Sequence, residues 1–177
     1  MPEILLHIAL IAAVLLLIGV YVSWRATRLD RLHVRLETAR AGLDAALVRR
    51  AAVALELAAS RQLDPATSLL LAAAAHEARI ADADNREFAE SDLSRALRAV
   101  VGQPDFRPTL EAGEDGAALL EDLDAAVRKV TYARSFYNNA VTATRTARRK
   151  LLPRILPLHG RAPLPDFFEI DDAPPES

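Results

Sequence analysis

The chain has 177 residues, with 22 Lys plus Arg against 24 Asp plus Glu, a formal net charge of −2 and no cysteine. Disulfides, thiolate metal sites and cysteine nucleophiles are excluded, and the near-even balance supplies no global field that would draw in nucleic acid. Ala and Leu dominate, aromatics make up 5% of residues, and β-branched clusters of alternating polarity are missing, so an all-α fold is predicted.

Residues Ile4 to Trp24 carry no fixed charge, and at about 1.5 Å per residue such a run crosses the roughly 30 Å hydrocarbon core of a bilayer. A single transmembrane helix over residues 1–24 is predicted, in contact with lipid through residues 4–24. It ends at Tyr21 and Trp24, aromatics suited to the lipid boundary, and Arg25, Arg28, Arg31, Arg35 and Arg40 follow. No Lys or Arg precedes the run, so the basic flank is expected inside: N-terminus outside, body cytoplasmic, at the cell membrane. A cleaved signal peptide needs a basic start, a shorter apolar stretch and small residues at the cleavage site, and Tyr21-Val22-Ser23-Trp24 offers none. His7, near the outer end of the span, reads as an interfacial histidine.

Residues 25–152 form one domain's worth of chain. In its first segment Leu29, Leu32, Leu36, Ala39, Leu43 and Ala46 recur in steps of three and four, the stripe of one helix face. The segment is expected to continue the anchor and to end near Leu63, where Asp64 can cap a new helix with Pro65 at its first position. The stripe next meets Arg50, which must snorkel or find an acid; edge packing is the simpler expectation.

The second segment starts at Pro65 and sets Leu69, Ala73, His76 and Ile80 on one face, taken as the inward one. It weakens across Ala83 to Arg86, where a break is expected, and recovers at Leu93, Leu97, Val100 and Val101. Gly102, Pro104, Pro108, Gly113 and Gly116 mark a loop. The third segment, from about Ala117 to Leu152, carries Leu120, Leu123, Val127, Val130, Ala133, Tyr137 and Val141 in the same spacing, with polar Thr144 next and Pro153 as its stop. Short connections imply an antiparallel bundle of three long helices, or four if the second segment divides. Residues 153–177 form a Pro-rich acidic tail, expected to be poorly ordered.

The stretch Tyr132-Ala133-Arg134-Ser135-Phe136-Tyr137-Asn138-Asn139-Ala140-Val141 resembles the signature of the LemA family of membrane-anchored bacterial proteins. Arg49 and Arg50, His76 and Glu77, Pro104-Asp105-Phe106 and Phe167-Phe168-Glu169 resemble further family motifs in the same order. Ala51 to Leu57 and Leu152 to Leu164 depart from the family pattern, marking a divergent member. The resemblance implies a transmembrane helix, a cytoplasmic helical bundle and no particular reaction. It also hints at a membrane protease as partner.

The signature residues also carry a physical reading. Asn is a poor helix former, so Asn138 and Asn139 in mid-helix call for hydrogen bonds across the seam, and Tyr137 on the stripe calls for a partner to its hydroxyl. Tyr132, Arg134, Phe136, Tyr137, Asn138, Asn139, His76, Glu77, Phe167 and Phe168 are the candidate interaction or bundle-specifying residues. The two phenylalanines of the tail are expected to fold back onto the helices rather than to offer a docking peptide.

Catalysis is not expected. His76 and Glu77 open like a His-Glu-x-x-His helix, but Ile80 stands where the second zinc ligand belongs, and His7, His33 and His159 form no ligand pair at helical spacing. No phosphate loop or Gly-x-Ser-x-Gly elbow occurs, and neither metal nor cofactor is predicted. Arg145, Arg148, Arg149, Lys150 and Arg154 suit the negative end of the third helix. In a three-helix arrangement that end would lie tens of ångströms from the bilayer, several Debye lengths of about 8–10 Å. The leading expectation is a non-catalytic scaffold or adaptor that binds protein partners, with copies of itself or a membrane protease as the candidates. The alternatives are a ligand or pH sensor using His76 and the Tyr137–Asn139 patch, and a hydrolase of unrecognised site.

Overall fold

A computed structural model describes residues 2–113, 115–149 and 163–173 of the chain. Every regular element among them is helical: α1 Pro2–Ala59, α2 Pro65–Ile80, α3 Arg86–Val101, α4 Phe106–Glu111 and α5 Gly116–Arg148. The chain divides into two compact units, Met1–Thr38 with Ala140–Asp166, and Ala39–Asn139 with Phe167–Ser177.

In the first unit the stretch Leu6–Trp24, 19 residues long, is apolar enough to cross a membrane, and none of it is buried. Beyond it, Arg148 near the end of α5 donates from Nη2 to His33 Nε2 at 2.9 Å and from Nη1 to the Pro163 carbonyl at 2.9 Å. A guanidinium only donates, so His33 Nε2 is the unprotonated, accepting nitrogen. His33 lies nine residues past Trp24, about 14 Å along a helix. The basic end of α5 therefore sits near the C-terminal end of the apolar stretch, not tens of ångströms from it as a three-helix path requires. Lys150, Arg154, Pro153 and the expected helix end at Leu152 lie outside the described residues.

The reason is the break in the second segment. Asp82 Oδ1 accepts from the Asn85 backbone at 3.0 Å and from its side chain at 2.9 Å, a side-chain-closed turn between the end of α2 and the start of α3. One expected helix becomes two, and the chain direction thereafter is reversed relative to a three-helix path. In the second unit, Arg49 of α1 meets Asp122 of α5 at 2.9 Å, while Leu43 and Leu47 share a cluster with Val130. Contacts at increasing positions on α1 thus fall at decreasing positions on α5.

Other boundaries follow local chemistry. At the end of α1 the Leu57 carbonyl accepts from Ser60 Oγ at 2.8 Å, and Arg61 reverses the chain at φ 60°. Asp64 Oδ1 then accepts from the Ala66 and Thr67 amides at 3.0 and 3.1 Å, capping α2 with Pro65 at its first position as the sequence predicts. A hydrogen bond from the Thr67 side chain first, and these amide bonds after it, hold the Asp64 carboxyl below its ordinary value. At the start of α5, a side chain on Gly116 would collide with the Leu110 carbonyl.

The core of this unit draws on every helix: Val53, Ala54 and Leu57 of α1, Leu71, Ala75 and Ala78 of α2, Leu93, Leu97, Val100 and Val101 of α3, Phe106 and Leu110 of α4, Leu120, Leu123 and Ala126 of α5. Of the stripes read from sequence, the first segment buries Ala39, Leu43 and Ala46 and half-buries Leu32 and Leu36, and the third buries Leu120, Leu123, Val130 and Val141 and half-buries Val127, Ala133 and Tyr137. In the second segment the α3 part buries Leu93, Leu97, Val100 and Val101 as read, but the α2 part does not follow: His76 is exposed, as are Leu69, Ala73 and Ile80, and the buried stripe of α2 is Leu71, Ala75 and Ala78. Its larger apolar residues pointed to the wrong face because small alanines allow close helix approach, and they form the packed side here.

Candidate functional site

The residues that converge most tightly lie in the second unit, where the C-terminal segment crosses α3 and α5. Part of the tail is thus held in place, against the expectation of poor order. Asn138 Nδ2 donates to the Phe168 carbonyl at 3.1 Å, and the Phe168 amide donates to Asn138 Oδ1 at 2.9 Å. The Glu169 amide donates to Glu87 Oε1 at 2.8 Å and the Asp171 amide to Ser91 Oγ at 3.1 Å. Side chains of two helices thus supply hydrogen-bond partners to the backbone of a segment that has no secondary structure of its own.

Its side chains are read as well. Ile170 is buried against Leu43, Ala46, Leu47 and Val130, with Tyr137, Ala133 and Phe168 packed around them. Arg134 grips Asp172 through two parallel bonds, Nε to Oδ2 at 2.7 Å and Nη2 to Oδ1 at 2.9 Å. Arg98 holds both oxygens of Asp171 and donates to the Ala173 carbonyl at 3.1 Å. The Arg98 hydrogen bonds keep the Asp171 carboxyl below its ordinary value.

Beneath this segment lies a buried ion pair. Arg50 and Glu90 are 2% and 1% exposed, and Arg50 Nη2 donates to Glu90 Oε2 at 2.7 Å and to the Glu90 carbonyl at 3.1 Å. Arg50 Nη1 donates to Ser94 Oγ at 2.8 Å. Arg86 approaches the second Glu90 oxygen at 3.5 Å, and it reaches Asp44 at 3.8 Å. Arg50 therefore finds an acid at depth rather than packing at the edge of the seam. A cavity of about 10 Å³, the scale of a single water, is lined by Arg50, Ser94 and Leu97 together with Asp172 and Ala173 of the tail.

Of the residues singled out from sequence, Arg134, Tyr137, Asn138 and Phe168 come together here. Asn138 bonds the tail, where a bond across the helix seam was expected. Tyr132, Phe136 and Asn139 face outward on α5, and Phe167 is 38% exposed. His76 and Glu77 lie exposed on α2, which corrects the inward histidine. Glu87, Glu90, Ser91, Ser94, Arg98, Ile170, Asp171 and Asp172 were not foreseen. Glu90 had a signal: the α3 stripe of Leu93, Leu97 and Val100, continued backward by three, lands on it.

Among the described residues no group of three or more His, Asp or Glu stands close enough to hold a metal ion. Compared with family models, with curated proteins and with solved structures, the chain matches none.

Proposed function

We propose that the chain is a LemA-like single-pass membrane protein whose cytoplasmic antiparallel helical bundle serves as a scaffold or adaptor. The observation that carries this reading is the pairing, in one sequence, of an unburied apolar stretch at Leu6–Trp24 with a helical body that holds an extended acidic peptide through matched side chains. A helix whose apolar side chains are left wholly exposed is stable in lipid and unfavourable in water. The arginines that follow it favour the inside for the body. A groove that recognises backbone and side chains of an extended segment is the equipment of a binding module.

The test uses the full chain with a tag after Ser177. It is expected in the membrane fraction after high-salt and alkaline extraction, with the tag protected from protease in intact cells, and detergent-solubilised protein is expected to recover a specific partner or further copies of itself. Release into the soluble fraction, cleavage of the tag from outside, or recovery of nothing specific would each overturn the reading.

A further inference from the structure

Extending the scaffold reading, on which it rests, we propose that the groove holding Phe168–Asp172 also takes the same segment from a second copy of this chain, so that exchanged tails link neighbouring copies. The groove reads the tail as it would read a separate peptide. Asn138 exchanges two bonds with Phe168, Glu87 and Ser91 accept the next amides, one apolar side chain, Ile170, enters the cluster around Leu43 and Val130, and Arg98 and Arg134 take consecutive aspartates. None of these contacts requires the tail to belong to the same chain as the helices.

Occupancy by a copy follows from complementarity. Two arginines on the helices face two aspartates on the segment, and the sequence shown to fit is one that every copy carries. Release is also within reach. Ile170, at 9% exposure, is the one buried residue of the described tail, Phe167 and the Asp171 side chain are 38% and 44% exposed, and solvent-accessible ion pairs contribute little each. Within one chain the tail is favoured by its high effective concentration, so exchange needs crowding of copies or a weakened internal fit. Copies confined to one membrane supply the first condition.

The experiment pairs two full-length variants in detergent with a large excess of empty micelles. Ile170→Ala with Asp172→Asn spoils the tail and leaves the groove intact; Arg134→Gln with Asn138→Ala spoils the groove and leaves the tail intact. Neither is expected to pair with itself, while the mixture at tens of micromolar is expected to form a one-to-one complex, captured through different tags at least tenfold above either variant alone. Capture no higher than for the single variants, with both folded by circular dichroism, overturns the proposal, as does equal self-pairing of the tail-spoiled variant. Should a double variant lose its helical signal, Asp172→Asn and Asn138→Ala alone are mixed instead and judged by the same criterion. A labelled peptide of residues 163–173 is expected to bind the tail-spoiled chain and not the groove-spoiled one, and the reverse would also overturn it. Membrane attachment plays no part in the readout, so failure here leaves the membrane-scaffold reading standing, and a soluble chain that still pairs would refute only that reading.

Discussion

Asn138 and Phe168 satisfy each other twice, the amide side chain donating at 3.1 Å and accepting at 2.9 Å from the backbone of a residue thirty positions later. The pair explains an Asn in mid-helix: its helix-propensity deficit of several tenths of a kcal/mol is offset by two bonds, each worth about 1 kcal/mol net. Asn138→Ala should therefore weaken tail docking by about 1–2 kcal/mol. Hydrogen exchange is the direct measurement: the Phe168, Glu169 and Asp171 amides should exchange faster by roughly tenfold or more, while amides of α1 and α5 keep their protection. Unchanged exchange at those three amides would show that the pair does not hold the tail.

Arg50 and Glu90 make a harder test because both are buried. Removing one partner strands the other charge, so Arg50→Met or Glu90→Leu should each cost about 3–5 kcal/mol in denaturant unfolding. The double variant, apolar on both sides, should recover most of that loss and approach or exceed the parent in stability. Equal and additive losses in the two singles would instead mean that the residues act independently.

How far the sequence foretold this arrangement depends on side-chain size. Leu43, Ala46, Val53 and Leu57 of α1 and Leu120, Leu123 and Val130 of α5 announced their buried faces because large apolar residues recur there at helical spacing. On α2 the same rule failed: Leu69 and Ile80 stand outward and alanines pack inward, so periodicity of bulk misplaced His76. The helix path turned on the Asp82–Asn85 turn, a polar signal of four residues that marked a break without stating its angle. The tail was hardest, since proline and acid suggest disorder when read alone. Its order comes from Asn138, Arg98 and Arg134, residues distant in sequence that no local pattern links to Asp171 and Asp172.

Acid should loosen the tail. Arg98 holds the Asp171 carboxyl below its ordinary value of 3.8, so the docked state binds that proton less readily than the released state. The contribution is fully present above the released-state value and is lost as pH falls through the lowered docked value. Lowering pH from about 5 to 3 should therefore reduce the protection factor of the Asp171 amide, its exchange measured against the unprotected rate at the same pH, and Arg98→Gln should flatten that response. Asp64 follows the same sign, so the N-terminal turn of α2 should also fray in this range.

His76 sits exposed on α2, and no hydrogen bond joins it to Tyr137, Asn138 or Asn139 among the described hydrogen bonds. His76→Gln should change stability by less than about 0.5 kcal/mol at any pH between 5 and 8, the range for exposed substitutions. A shift of the stability curve by more than 1 kcal/mol across that range, seen in urea titrations, would restore the histidine to a sensing role.

Two glycines should answer the same substitution with opposite signs. Gly42 lies on an exposed part of α1 with nothing within 4 Å of the position a Cβ would take, so Gly42→Ala should stabilise by about 0.5–1 kcal/mol through helix propensity alone. Gly116 begins α5 where a Cβ would overlap the Leu110 carbonyl, a backbone atom that cannot rotate aside. Gly116→Ala must then push α5 away from α4, which buries Phe106 and Leu110, and should cost about 1–3 kcal/mol. Urea midpoints measure both, provided the slopes stay equal so that the difference reflects stability. A neutral Gly116→Ala would mean that the turn between Glu111 and Gly116 yields freely, and that the close approach of α4 to α5 is not needed to position the core.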